Sequence, residues 1–518
     1  MNMDEKEEIN KSLNVLAKSA FVVLYGVLLS KIFTYIYRVI IARQFGPEVY
    51  GAFSLAINIV SLVIAISLLG FDSGIVRFIP LYKSKKEERN IYYLIKFSLK
   101  ICFITSIILG AVLFILSDFI SYNIFHEEKL SLYLKLFSFI VPISVIAVYL
   151  LAVIIAYEKI KLYSFIENIA TNGLNVMCLV LLLLLGFGEL SVPLSFFIGS
   201  IILLLLTYIL FKKYISYEKI GTLDVKQKKA INKEFLTYSV PLLFFIILNV
   251  LLAWVDSFSL GYFKGTRAVG FYNAAVPIAM LVNLAPQLFV KLFFPIITRE
   301  FGKKNNKSIS ELSKQVNKWI LFLNLPLIVL VVLFPERFID LFFGKEYLLA
   351  SNALRILVIG TFFISFSKVT DRILAMLGRS KTLLFNIIIA VILNFLLNAL
   401  FIPMPIILGM ENSLGINGAA IATVISSGVL MCLSFFQSNK YLSLIPLRRK
   451  MLNLLLASLI TIIILWPFRL AITNTFSFIF ASIFFGLVYL VLSFILKSLD
   501  DNDRLILKDL VKIGKKED

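Results

Sequence analysis

Lys31, Thr34, Tyr35 and Arg38 stand at i, i+3, i+4 and i+7, so a helix through them carries two cations and two hydroxyls on one face. The surrounding segment Ala20–Ile41 is otherwise apolar and long enough to cross a bilayer. A charge at the centre of such a helix costs about 2.5–3.5 kcal/mol on insertion scales, so a retained one asks for water, a ligand or a partner around it. By residue count Lys31 lies near the midplane, whereas Arg38 and Arg43 can reach the outer interface. Arginine grips a phosphate through two parallel donors, and lysine acts as a point charge. The stripe therefore suits an anion in a wet cavity. A structural ion pair with a neighbouring helix is the competing reading of the same residues.

Other spans carry polar groups more sparsely. Gly51, Ser54, Asn58, Ser61 and Ala65 form a small-residue seam that fits close helix packing better than a cavity lining. Asp72 and Arg77 follow at its inner end, placed to pair with each other or with the other half of the chain. Asn168, Asn172 and Asn175 share a face, as do Asn249 with Asp256 and Asn394 with Asn398; a wet cleft and helix–helix hydrogen bonds explain them equally well. Lys368, Asp371 and Arg372 cluster near an inner helix end, where local ion pairing is favoured, and Lys291 lies close to the cytoplasmic boundary. The candidate substrate contacts are thus Lys31, Thr34, Tyr35, Arg38, Arg43 and Lys291. Candidates for ion coupling or gating are Asp72, Arg77, Asn249, Asp256, Lys368, Asp371 and Arg372. Acids inside the spans are few, chiefly Asp256 and Glu167, and a cleft with that balance attracts anions by its field. No cofactor is implied beyond Na⁺ or H⁺ coupling. Cys102, Cys178 and Cys432 are too dispersed for a disulfide framework or metal site, and His126 reads as a solvated loop residue beside Glu127 and Glu128.

The elements that position these residues follow from composition. The chain is 60% hydrophobic and 16% charged, which puts it in the membrane class and leaves no room for a soluble domain. We place about fourteen spans, at Ala20–Ile41, Val49–Leu69, Ile91–Leu116, Leu132–Ala156, Tyr163–Leu185, Val192–Phe211, Tyr238–Gly261, Phe271–Ile296, Trp319–Phe334, Leu349–Leu374, Thr382–Ile402, Gly415–Phe436, Leu452–Phe468 and Phe476–Leu496. Alternate connections hold about 35 and about 7 Lys and Arg, and that asymmetry orients both termini to the cytoplasm. The net charge of +20 therefore reports orientation and not a nucleic-acid partner. The first apolar run has no small-residue cleavage site after it and reads as an uncleaved span.

The chain divides into a cytoplasmic N-terminus (1–19), an N-lobe of six spans (20–211), a basic cytoplasmic linker (212–237), a C-lobe of six spans (238–436), two further helices (437–497) and a cytoplasmic tail (498–518). The linker carries Lys212, Lys213, Lys219, Lys226, Lys228, Lys229 and Lys233, with a break at Gly221, and is expected to run along the membrane surface. The lobes echo one another. Gly51, Phe53 and Ala56 match Gly270, Tyr272 and Ala275, each set just after a short outer loop. Arg77 before Pro80 and Lys291 before Pro295, and the short inner turns at Lys159–Lys161 and Arg379–Lys381, occupy corresponding places. Six spans is an even number, so the lobes relate by a pseudo-two-fold along the membrane normal, a transporter's arrangement with substrate handled between lobes.

The stretch Ser30-Lys31 through Arg38, Ala42-Arg43-Gln-Phe45-Gly46-Pro47 to Tyr50-Gly51 resembles the opening of polysaccharide and lipid-linked oligosaccharide flippases of the multidrug/oligosaccharidyl-lipid/polysaccharide exporter superfamily. Gly270 to Ala275, Leu354-Arg355, Leu393-Asn394 with Asn398 before Pro403, and Gly415 to Thr423 resemble later parts of the same proteins, in the same order. The resemblance implies a two-lobed, V-shaped fold, a central cationic cavity and alternating access. Its substrate would be an isoprenoid (pyro)phosphate-linked glycan carried from the inner to the outer leaflet of the plasma membrane by a monomer. In the related peptidoglycan-precursor flippases the first basic residue lines the cavity, and Lys31 is the matching position. Their next arginine falls at Tyr37, beside Arg38, and their basic pair in the second span has no counterpart at Ala65-Ile66, which favours a polysaccharide-type substrate.

Two rivals meet obstacles in the sequence. A membrane-embedded glycan polymerase or ligase needs a catalytic constellation in a sizeable outer loop, and every outer connection here is short and lacks one. The Asp501-Asn-Asp503 run reads as a solvated helix face in a charged tail. A multidrug exporter of the same superfamily carries an acidic coupling site and fewer spans, against a cationic stripe here.

Overall fold

The computed structural model describes residues 3–214, 223–467 and 474–498. Lys219, Gly221 and the tail with Asp501 and Asp503 lie outside the described residues, as do the side chains up to Tyr25 and that of Lys291. In chain order the helices are α1 (Met3–Leu68), α2 (Phe71–Ser84), α3 (Glu88–Asp118), α4 (Glu128–Ala156), α5 (Ile160–Ser164), α6 (Thr171–Leu184), α7 (Ser191–Tyr214), α8 (Val225–Ala279), α9 (Leu284–Gly302), α10 (Asn306–Leu333), α11 (Pro335–Phe343), α12 (Ser351–Met376), α13 (Ser380–Phe401), α14 (Ile416–Leu442), α15 (Lys450–Leu465) and α16 (Thr475–Ile495). Apart from one two-residue strand pair, the described secondary structure is helical, the expected class.

Among the described residues eleven helical segments are long and apolar enough to cross a bilayer. Two of them, Gly26–Leu68 and Val225–Gln287, would be at least twice bilayer length if straight, and the apolar helix Lys450–Ile464 is shorter than a full span. The long ones are bent. Gly46 has φ 77°, ψ −178° and Gly265 φ 78°, ψ 179°, a conformation that glycine adopts without the Cβ penalty. Residues sixteen apart on a straight helix lie about 24 Å apart. Yet the rings of Tyr37 and Phe53 are 5.6 Å apart, and the Tyr272 hydroxyl donates to an Asp256 carboxylate oxygen at 2.5 Å. Each glycine therefore closes a helical hairpin, and the internal repeat read from Gly51 and Gly270 extends to two bends of the same geometry. The sequence reading missed Gly265.

Three details differ from the sequence reading. α1 begins at Met3, so helix runs well ahead of the apolar span. The second half of the linker is helical, since α8 starts at Val225 and continues into the apolar segment. The span placed at Phe271–Ile296 is interrupted by a 3₁₀ turn, Met280–Asn283.

The chain forms two compact units, Met1–Asn273 and Ala274–Asp518, so the first takes in most of α8. In the first unit, Phe53, Phe137 and Phe196 form an aromatic cluster with centroids 5.5–6.3 Å apart. The two hairpins meet at their glycines: a Cβ on Gly51 would fall 1.8 Å from the Thr266 carbonyl oxygen, and one on Gly270 1.9 Å from that of Pro47. Leu69 and Gly70 both have positive φ and break the helix between α1 and α2. The carbonyls freed there are met from α3, by the Thr105 hydroxyl on Ser67 O at 2.7 Å and the Cys102 thiol on Leu68 O at 3.8 Å. In the second unit α12 and α14 pack closely at Gly360, where Val424 backbone lies 3.3 Å from an added Cβ. Asn324–Ser365, Asn386–Gln437 and Asn394–Ser426 hydrogen bonds tie neighbouring helices there.

Gly51→Ala and Gly270→Ala should each destabilise the protein by about 3 kcal/mol or more, because backbone carbonyls cannot step aside for the methyl group. Gly486→Ala, in a helix where nothing lies within 4 Å of the added carbon, should be neutral or stabilising by up to about 1 kcal/mol. Thermal unfolding in one detergent compares the three.

Candidate functional site

The first arm of α1 carries the cationic stripe up to the bend at Gly46. Counting about 1.5 Å per residue, Lys31 sits about 22 Å along the arm from the bend and Arg38 about 12 Å from it. Lys31 and Arg43 are exposed, and Thr34, Tyr35 and Arg38 are half-buried. Among the described residues neither Lys31 nor Arg38 has a carboxylate within salt-bridge distance. The structural ion-pair reading of Lys31 thus lacks its partner. A cation on an apolar helix with no carboxylate partner among the described residues is tolerable where water or an anion meets it.

The rest of the stripe holds the arm in place. The Thr34 hydroxyl lies 2.8 Å from Ser30 O and 3.0 Å from Asn172 Oδ1, and Asn172 Nδ2 donates to the Ser30 hydroxyl at 3.0 Å. The span-five asparagines therefore serve helix contact at this point, the packing alternative for that face. The Arg38 guanidinium hydrogen-bonds the Tyr50 hydroxyl across the hairpin, and that hydroxyl donates to Asn273 O at 3.0 Å. A cation on the first arm is so linked through the second arm to the other hairpin. Tyr37, one residue away, is buried and bonded to the Ser195 hydroxyl at 2.9 Å. Nothing in the sequence spacing marked Tyr50 or Ser195, which come from other arms and helices.

The coupling candidates scatter. Asp256 is buried and accepts from Tyr272, whereas Asn249 is exposed and donates to Phe245 O at 2.7 Å. The matched bends align Asp256 with Tyr37, each nine residues ahead of its glycine, and Tyr272 with Phe53, each seven residues after it. One hairpin uses a phenol where the other uses a carboxylate. Asp72 and Arg77 do not pair: the Arg77 guanidinium lies 4.1 Å over the Tyr238 ring, held there by cation–π attraction. Asp72 instead lines a cavity of about 310 Å³ with Ser73, Tyr163 and Glu167. Glu167 stands on a π-helical turn, Phe165–Ala170. Lys368 and Arg372 act on the Asp371 carboxylate through space, with no contact at salt-bridge distance. Asp371 accepts from the Ser434 hydroxyl at 3.0 Å, and Arg372 lies 5.7 Å over Phe294. Lys291 is on α9. Among the described residues no cluster of His, Cys, Asp and Glu has metal-site geometry.

A multi-pass helical fold, whose bent first helix carries a cation with no carboxylate partner among the described residues, fits a membrane transporter. The chain matches the family model described as Polysaccharide biosynthesis protein over residues 16–301, more than half its length, and belongs to that family. A second model, MatE, matches residues 241–400. An uncharacterised membrane protein of Methanocaldococcus jannaschii is 24% identical over 441 residues, 83% of this chain and 85% of the relative. A putative O-antigen transporter of Shigella flexneri is 23% identical, covering 66% of this chain and 80% of the relative. Among solved structures the lipid II flippase MurJ, in an inward closed conformation, superposes with a TM-score of 0.70 at 19% identity, covering 95% of this chain and all of that one. The last likeness concerns the fold.

Arg38→Ala and Tyr50→Phe should each lower stability, by about 1–3 kcal/mol, because each removes a member of the relay to Asn273. Lys31→Ala should leave it nearly unchanged. Unfolding temperatures of the three variants read the difference.

Proposed function

We propose that the protein moves an isoprenoid (pyro)phosphate-linked oligosaccharide or polysaccharide repeat unit from the cytoplasmic to the outer leaflet of the plasma membrane by alternating access. The observation that carries this reading is Lys31, exposed and without a carboxylate partner, in a chain of the polysaccharide biosynthesis family. Its ammonium meets the phosphate as a point charge. Arg38 adds a second positive charge along the same face. The name of the Shigella flexneri relative supports a glycan cargo, and that of MurJ a lipid-linked one. The reaction makes and breaks no covalent bond. Return to the resting state draws on Na⁺ or H⁺, with Asp256 or the Asp72–Glu167 cavity as the acidic groups able to take part. A drug exporter is the second reading, favoured by the MatE match over residues 241–400.

In liposomes the purified protein should change only the sidedness of an isoprenoid-linked sugar. Appearance of a new glycosidic bond or of free pyrophosphate would rule the proposal out. Lys31→Ala should abolish the movement at a normal membrane level, and Lys31→Arg should keep part of it. If instead Lys31→Ala is fully active while drug efflux is robust, the exporter reading takes over.

The orientation has its own test. Both termini are cytoplasmic in this reading, so cysteines at Lys228 and Lys304 should resist an impermeant thiol reagent in intact cells. One at Glu128, exposed at the start of α4, should react. The reverse pattern inverts the topology.

A further inference from the structure

The connection from α13 to α14 is a tight hairpin, Ile406–Ile407 paired with Met410–Glu411, closed by Leu408 and Gly409. Both turn residues have positive φ, 49° and 75°, the pattern of a type I′ turn, whose first position favours Asn, Asp or Gly. A leucine there is strained, and this one is also 81% exposed. In water both features are unfavourable, and asparagine would remove both. Leu408 makes physical sense if its side chain has an apolar surrounding that the protein itself does not supply.

The neighbouring residues supply the rest of the argument. No charged residue occurs between Lys381 and Glu411. α13 has 22 residues, about 33 Å, so it spans the hydrocarbon layer and delivers the hairpin to its far boundary. The exposed side of α13, with Phe395, Leu396 and Leu400, is the kind of surface that faces lipid, and it continues into exposed Pro403, Pro405 and Ile406. Backbone groups that would resist a low dielectric are already matched. Asn412 Nδ2 donates to Phe401 O and Met404 O at 2.9 and 2.8 Å, its backbone N–H to Pro405 O at 2.8 Å, and Asn417 Nδ2 to Glu411 O at 2.7 Å. Two prolines bring no N–H to satisfy. Leu408 stands at the tip, while Glu411, opposite Ile406 in the register, accepts from the Ser413 hydroxyl at 3.0 Å toward the base.

We propose that this hairpin is an interfacial anchor, with Ile406 and Leu408 inserted among the acyl chains of the outer leaflet. The leaflet assignment rests on the topology proposed above; the insertion does not. Anchoring fixes the height of the α13–α14 junction relative to the bilayer surface.

The test places a nitroxide at residue 408, 406 or 413 of the full chain, its three native cysteines replaced, in lipid nanodiscs, and compares collisions with oxygen and with a water-soluble nickel chelate. Residues 406 and 408 should favour oxygen several-fold more than residue 413, which lies at the polar base. Position 406 repeats the measurement without touching the turn. Nickel access at 408 equal to that at 413 overturns the proposal, since the tip is then in water. Low access to both reagents also overturns it, since protein then covers the tip. A wrong topology would leave the oxygen preference intact and show itself in the thiol labelling of Glu128, so the two failures are distinguishable.

Discussion

Two glycine-to-carbonyl contacts set how closely the hairpins of the first unit approach. With Gly51 against Thr266 O and Gly270 against Pro47 O, backbone meets backbone with no side chain between. Lipid tails offer helices no hydrophobic reason to associate, so close dispersion contact of this kind has to do that work. Everything near the cationic arm is placed by it. Tyr50 reaches Asn273, Arg38 reaches Tyr50, and Lys31 is left further along the same arm without a carboxylate partner among the described residues.

The second constraint is that a helix broken inside a bilayer must find partners for its freed carbonyls. At Leu69–Gly70 the protein uses Thr105 and Cys102 from α3, and after α13 it uses Asn412. Thr34 and Asn172 are engaged differently, by side-chain hydrogen bonds between neighbouring helices. Lys31 is not, which is why it stands apart.

Much of the fold was legible in the sequence because apolar run length is a one-dimensional signal. The helical class and the many apolar helices follow from it, and the spacing of small residues marked the close packing at Gly51. The relations that were not legible are tertiary. Spacing along α2 left open whether Asp72 and Arg77 pair with each other or with the other half of the chain, and Tyr238, from α8, holds the guanidinium. Spacing along α12 suggested an ion pair around Asp371, yet Ser434 from α14 takes the carboxylate. The stripe Lys31, Thr34, Tyr35, Arg38 was visible as a helical face. Its division into one free ammonium and several tethered neighbours depended on which helices lie alongside, and periodicity holds no information about that. Gly265 stands five residues ahead of Gly270, as Gly46 stands ahead of Gly51, so the repeat carried five residues further back marks it; the bend itself is a backbone conformation that apolar periodicity does not report.

The single-residue bends have a mechanical consequence. A loop of several residues between two helices absorbs a push on one of them, because its dihedrals adjust. Gly46 and Gly265 each turn the chain within one residue and leave no such slack. Sliding one arm by a residue's rise, about 1.5 Å, carries the other arm with it. Whatever one arm does along its axis is thus passed to the other across a single residue.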